Sequence, residues 1–194
     1  MKVFIVYCHP SKHSFTFDIL RCFINGLEHS GHTYILSDLY EMEFNSDICE
    51  EEYIRDAFYI SKTPVAPDVR AEHVKINSCD AIAFVYPVFW TDCPAKLKGW
   101  FDRVWSYGFA YGDNRTMKQL EKGLVLCSAG NSLEYFEETG LGDAMRKTML
   151  RDRFFDRVKK SEMIIFETTS RDKPEREINR EKHLMQAFEA GAEF

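Results

Sequence analysis

The stretch that most limits what this chain can fold into runs from Asp80 to Gly112: DAIAFVYPVFWTDCPAKLKGWFDRVWSYGFAYG. It opens on an apolar run of strand length, Ala81 to Tyr86. Pro87 stops the run, because proline has no N–H to donate to a central ladder. Pro94 then stands where the first turn of a helix accepts proline. Leu97, Trp100, Phe101 and Val104 follow at helical spacing and predict a helix with one buried face. Between strand and helix lies Val-Phe-Trp-Thr, a loop with two large aromatics that no turn requires. Ligands of open α/β sheets bind outside the carboxyl ends of the strands, which is where this loop falls.

The remaining chain repeats the strand-then-helix alternation. Val3 to Cys8 is a near-continuous apolar run, the mark of a strand buried on both faces of a parallel sheet. A polar loop, His9 to Ser14, leads to a helix with Phe15, Ile19, Leu20, Phe23, Ile24 and Leu27 on one face and Ser14 as N-cap. Gly31 closes that helix and Thr33 to Leu36 begin a second strand. Glu41 to Pro67 is acidic and mixed, with a short helix expected near Glu51 to Ile60. Asp68 is expected to cap a helix reaching Ser78. Gly123 to Ala129 predicts the fourth strand, Asp143 to Lys159 a helix, Met163 to Glu167 the fifth strand, and Pro174 to Ala190 a terminal helix. Such alternation predicts an α/β, doubly wound parallel sheet with right-handed crossovers in a single domain, 1–194.

The charge balance is 25 basic against 31 acidic residues, net −6, with no block of like charges. A nucleic-acid partner is not expected, since a phosphate backbone demands a basic face. The six cysteines form no C-x-x-C pair, and the chain opens straight into a strand rather than a leader peptide. No apolar stretch approaches the roughly 20 residues that a membrane helix needs. A cytoplasmic protein with reduced thiols is expected. No metal-ligand cluster stands out; His73 and His183 are isolated and expected to be exposed on their helices.

Three loops emerge at one sheet edge. In the first, backbone N–H groups of Ser14, Phe15, Thr16 and Phe17 at a helix start make an anion cradle, with His9 at the strand end. The loop has no glycines and no G-K-[ST], so it is not a Walker loop. In the second, Pro87, Val88, Phe89, Trp90 and Thr91 offer a flat apolar surface and backbone donors for a flat ligand. In the third, Ser128, Ala129, Gly130 and Asn131, the glycine permits close backbone approach.

The segment YPVFWTDCPAKLKGWFDRVWSYGFAYG also resembles the NAD(P)H:quinone oxidoreductases with a flavodoxin-like fold, which carry P-A-x-L-K-x-W-x-x-R-V and a Phe-Ala-Tyr-like tail there. The resemblance is strong over roughly the first two thirds of the chain. It implies strand order 2-1-3-4-5 and two-electron transfer from NAD(P)H through a flavin to a quinone or similar aromatic acceptor. FMN is expected, with FAD possible, because the chain has no long C-terminal extension. It implies further that His9, Ser14, Phe15 and Thr16 hold the flavin phosphate, Thr16 standing where those proteins often have asparagine. Ser128 to Asn131 would meet the flavin's pyrimidine end, Asn131 replacing a second glycine. Trp90 and Tyr111 would form a catalytic slot, with Phe109 and Tyr111 lying over the flavin of a homodimer partner. Tyr135 matches the family's active-site tyrosine across a one-residue gap, without the usual histidine companion. Two other functions are compatible: a regulatory partner of a potassium-efflux system, and a flavodoxin-type electron carrier.

Overall fold

The computed structural model describes residues 1–194. Five parallel strands form one sheet in the order β2-β1-β3-β4-β5. They are β1 (Lys2–Tyr7), β2 (Thr33–Asp38), β3 (Ala81–Pro87), β4 (Leu120–Ser128) and β5 (Val158–Phe166). Seven α-helices connect them or close the chain: α1 (Phe15–His29), α2 (Glu50–Ala57), α3 (Pro67–Ser78), α4 (Ala95–Val104), α5 (Leu133–Glu138), α6 (Leu141–Arg146) and α7 (Glu175–Ala192).

Both faces of the central strands are covered, which is why β1 and β3 read as unbroken apolar runs. Val3, Ile5 and Tyr7 of β1 point to one core with Phe15, Ile19 and Phe23 of α1, while Phe4, Val6 and Cys8 point to the other. Ala81 and Ala83 of β3 face the first core and leave room for α1. Ile82, Phe84 and Tyr86 face the second, where Trp100 lies edge-on to Phe84 at 5.5 Å. Helix α1 packs on α7 through Gly26 and Gly191. A Cβ on Gly26 would reach Phe188 O at 2.0 Å, and one on Gly191 would reach Phe23 O at 2.2 Å, so both positions exclude a side chain.

The sequence expectations need correction at several places. β4 starts three residues earlier than Gly123, and β5 starts at Val158 rather than Met163. The added part of β5, Lys159 to Glu162, is exposed at the open edge of the sheet, where polar side chains are tolerated. The long helix expected over Asp143 to Lys159 is α6 followed by a π-helical stretch, Lys147–Phe154, and a 3₁₀ turn, Phe155–Arg157. Asp68 does not cap α3; Ala66 is the cap residue, and the Asp68 carboxylate accepts from buried Arg103 of α4. Neither His73 nor His183 is an exposed helix residue, because each lies on its helix's inward stripe. His73 stacks on Phe109 at 3.5 Å and its Nε2 lies 2.9 Å from Val104 O. His183 is 5% exposed, with Nε2 3.0 Å from Glu167 O. No helix is long and apolar enough to cross a membrane.

Candidate functional site

The order in which strands are added reverses between β1 and β3, and a cleft of about 350 Å³ opens there at the carboxyl edge. His9, Ser14, Phe15 and Thr16 line one end; Pro87, Val88 and Phe89 line a side, with Ser128 and Gly130 opposite.

The end at α1 is built to receive an anion. Ser14 caps the helix: its Oγ accepts from Phe17 N–H at 3.1 Å. That bond uses up the Phe17 donor, so Phe17 is not part of the cradle; its ring packs 5.9 Å from Tyr7. The N–H groups of Ser14, Phe15 and Thr16 donate to no protein acceptor, and the helix dipole adds positive potential at the same place. His9 Nδ1 accepts from Ser11 N–H at 2.9 Å. The neutral ring therefore carries its proton on Nε2, and burial lowers its pKa, which favours that neutral form. Thr16 Oγ1 lies 2.8 Å from Ser128 Oγ, a buried bond that ties the first turn of α1 to the end of β4.

The second loop is a tight turn. Phe89 N–H donates to Asp92 O at 2.9 Å and Asp92 N–H to Phe89 O at 3.1 Å, with Trp90 and Thr91 between them at φ 51° and 66°. Positive φ at both central positions is the geometry of a two-residue hairpin turn normally filled by Asn or Gly. Phe89 thus loses its N–H as a donor to a ligand, while those of Trp90 and Thr91 have no protein acceptor. The Trp90 side chain is 100% exposed. Asp92 pairs with Arg153, which holds its carboxyl below the usual range although burial pushes the other way. Burial raises the Cys8 and Cys93 thiols to about 12, so neither is a thiolate nucleophile near neutral pH.

In the third loop Ala129 is buried behind the wall, its N–H donating to Phe166 O at 2.8 Å. Gly130 lines the cleft; a Cβ there would stand 2.4 Å from Ser170 Oγ. Asn131 and Tyr135 lie in an adjoining cavity of about 340 Å³ with Thr168 and Lys173, which also meets Gly130.

The expected aromatic slot is not formed within one chain. Phe109 is 4% exposed and stacked under His73, so it belongs to the core and covers no ligand. Tyr111 packs on Tyr107 at 5.6 Å and lines a different cavity with Phe101, Trp105 and Arg153.

The comparisons agree with this architecture. A family model described as "Flavodoxin-like fold" matches residues 1–189. A solved NAD(P)H:quinone oxidoreductase from Methanothermobacter marburgensis is 45% identical, with 99% of this chain and 96% of that one covered and a TM-score of 0.94. This chain belongs to the flavodoxin-like NAD(P)H:quinone oxidoreductase family. An uncharacterized NAD(P)H oxidoreductase of Haemophilus influenzae is 30% identical over 159 residues, 79% of this chain and 77% of that one. The chain spans about half the length of some curated relatives. The match to the ribosyldihydronicotinamide dehydrogenase-like protein traD of Penicillium crustosum, 33% identical, takes in 58% of this chain and 46% of that one.

Within this family chain, sequence reading missed a fourth wall. Thr169, Ser170, Arg171 and Arg176, from the segment between β5 and α7, also line the cleft. Thr169 is anchored to it twice, its N–H and Oγ1 both donating to Ala129 O at 2.9 and 3.0 Å. The available signal was the polar run Thr168 to Lys173 directly after an apolar strand, at the same sheet edge as the other three loops.

Proposed function

We infer that this chain is a flavin-dependent NAD(P)H:quinone oxidoreductase, with the flavin phosphate at the start of α1 and its ring beside Pro87–Phe89 and Ser128–Gly130. The observation that carries this is one cleft with an anion cradle at its end and close-approaching backbone along its sides. The donor set fits the group. Three free N–H groups, His9 Nε2 and the Arg171 and Arg176 guanidiniums suit a phosphate, and the missing Cβ at Gly130 leaves space that a side chain would fill. A bound flavin supplies the electron chemistry, accepting two electrons from NAD(P)H and giving them to the quinone.

The chain's own part is to bind and orient. Ser14, Phe15 and Thr16 N–H groups fix the phosphate end, and the Trp90 and Thr91 N–H groups are the donors for the ring edge. Tyr135 lines the adjoining cavity and is partly exposed; its role in this reading is to meet the acceptor. FMN is the form proposed, because the cradle draws its donors to one point, as a terminal phosphate requires. A homodimer is proposed: Tyr111 lies outside its own cleft, and in this reading it serves a neighbour's. The compartment proposed is the cytoplasm, where six unpaired thiols stay reduced.

The experiment is spectroscopic. The purified protein, loaded with FMN, should show a flavin spectrum that NADH or NADPH bleaches anaerobically and that a benzoquinone restores. Mass analysis of the released cofactor separates FMN from FAD. Failure to bind either flavin sinks the proposal.

A further inference from the structure

The turn beside the cleft is held in an unfavourable shape. Trp90 and Thr91 both sit in the left-handed region, where a β-branched residue such as Thr91 is rarely found. Such backbone persists only when its surroundings over-determine it. The Trp90 side chain supplies no hold, since it projects wholly into solvent. The hold comes through Asp92, whose backbone closes both hydrogen bonds to the cleft residue Phe89.

Asp92 is in turn gripped by Arg153. Nη1 donates to Oδ1 at 2.8 Å and Nη2 to Oδ2 at 3.1 Å, a two-pronged pair with little rotational freedom. Arg153 itself is 6% exposed. Its guanidinium lies 4.7 Å from the Phe101 ring centre and Nη1 approaches Met149 Sδ at 3.1 Å and Cys93 Sγ at 3.4 Å. Its carbonyl accepts from Trp105 Nε1 at 2.8 Å. It projects from the π-helical stretch, a rare conformation that often accompanies function.

We infer that Arg153 is a positioning residue for the flavin edge: through Asp92 it holds the Phe89–Asp92 turn, and so fixes where the Trp90 and Thr91 N–H groups point. This rests on the flavin reading above. Without the grip, the turn relaxes toward ordinary φ values and its donors leave the ring edge. N–H groups at that edge favour the electron-rich reduced ring, so their loss lowers the flavin's midpoint potential and slows its reduction by NAD(P)H.

The test compares wild type with Arg153→Lys and Asp92→Asn. Asp92 is half-exposed, so its variant keeps a folded protein available should the buried Arg153 variant fail to fold. In the flavin-free protein, hydrogen exchange at the Phe89 and Asp92 amides should quicken about tenfold or more as the turn opens. In the FMN-loaded protein, anaerobic bleaching by NAD(P)H should slow about tenfold, with a more negative midpoint potential. A folded Asp92→Asn protein with wild-type exchange, potential and bleaching rate overturns the positioning role. A wild type that binds no flavin overturns the flavin reading instead, while amide exchange still reports whether Arg153 holds the turn.

Discussion

Thr16 Oγ1 and Ser128 Oγ lie 2.8 Å apart in the buried end of the cleft, joining residues 112 positions apart in the chain. The bond links the helix that offers N–H groups to an anion with the strand end that lines the cleft's far side. Thr16→Val keeps the shape but leaves Ser128 Oγ without its partner, and should cost about 1–3 kcal/mol in urea unfolding of the flavin-free protein. Ser128→Ala orphans the other hydroxyl. The double variant should cost less than the two singles together, because neither group is then left unpaired. Simple additivity would mean the two hydroxyls are not coupled.

His9 offers a test of the anion cradle. Its Nδ1 is occupied by Ser11 N–H, so only Nε2 is free to donate into the cleft. His9→Ala should weaken FMN binding by about 1–3 kcal/mol, the worth of a hydrogen bond to a charged group. Fluorescence titration measures it. An unchanged dissociation constant removes His9 from the site.

Gly130→Ala separates folding from binding. The new methyl meets only the terminal hydroxyl of Ser170 at close range, and that hydroxyl can rotate away. Stability should therefore change by less than about 1 kcal/mol. The methyl nevertheless enters the cleft wall, so FMN affinity should fall about tenfold or more. Equal losses of stability and affinity would contradict this view of the wall.

His73 predicts how stability responds to acid. Burial lowers its pKa from 6.5 to about 4, with Arg55 adding to the effect and the bond to Val104 O opposing it. The unfolded chain therefore binds a proton that the folded chain refuses between these two values. Stability contributed by the neutral ring is complete above pH 6.5, falls as pH drops through the window, and changes no further below about 4. The shift corresponds to at most about 3 kcal/mol, reduced by the ring's partial contact with solvent. His73→Phe keeps the stack on Phe109 and removes the titration. Its melting temperature should decline less than that of wild type between pH 7 and pH 4.5. Parallel declines would assign the acid sensitivity to other groups.

The parts of the fold legible in the sequence are those written in local pattern. Pro87 and Pro94 bracket the ligand loop, and Leu97, Trp100, Phe101 and Val104 all end up buried, as their spacing requires. The cap at Ser14 is equally local. His9, Ser14, Phe15, Thr16, Pro87, Val88, Phe89, Ser128 and Gly130 meet in one cleft because their loops share a sheet edge. What stayed hidden depends on distant partners. A Trp-Thr turn with positive φ carries no Gly or Asn to announce it, and Arg153, which grips it, lies 61 residues away. The start of β5 is polar because it stands at an open edge, and its strand character comes from pairing with β4. His73 reads as a surface residue because a lone histidine does not reveal the Phe109 ring that covers it.

The last prediction concerns assembly. Tyr53, Phe58 and Tyr59 are exposed along α2 and just after it, Phe58 by 68%. Tyr59 meets Tyr107 edge-on at 5.1 Å, and Tyr107 meets Tyr111 at 5.6 Å, so one aromatic strip runs from α2 to the loop that carries Tyr111. Such a strip is costly to leave in water and suits a self-complementary two-fold contact. A neighbouring copy seated there would carry Tyr111 toward a cleft other than its own. Analytical ultracentrifugation should find a dimer, and Phe58→Asp, which places a charge in the contact, should shift it to monomer. If Tyr111 serves the partner's flavin, the monomeric variant keeps FMN in its cradle yet loses most NAD(P)H-dependent quinone reduction. Tyr111→Ala should then lower activity while leaving the dimer intact, because its position is at the end of the strip and not its centre. A monomeric Phe58→Asp protein with full activity would refute the shared site and leave the flavin cleft of each chain sufficient by itself.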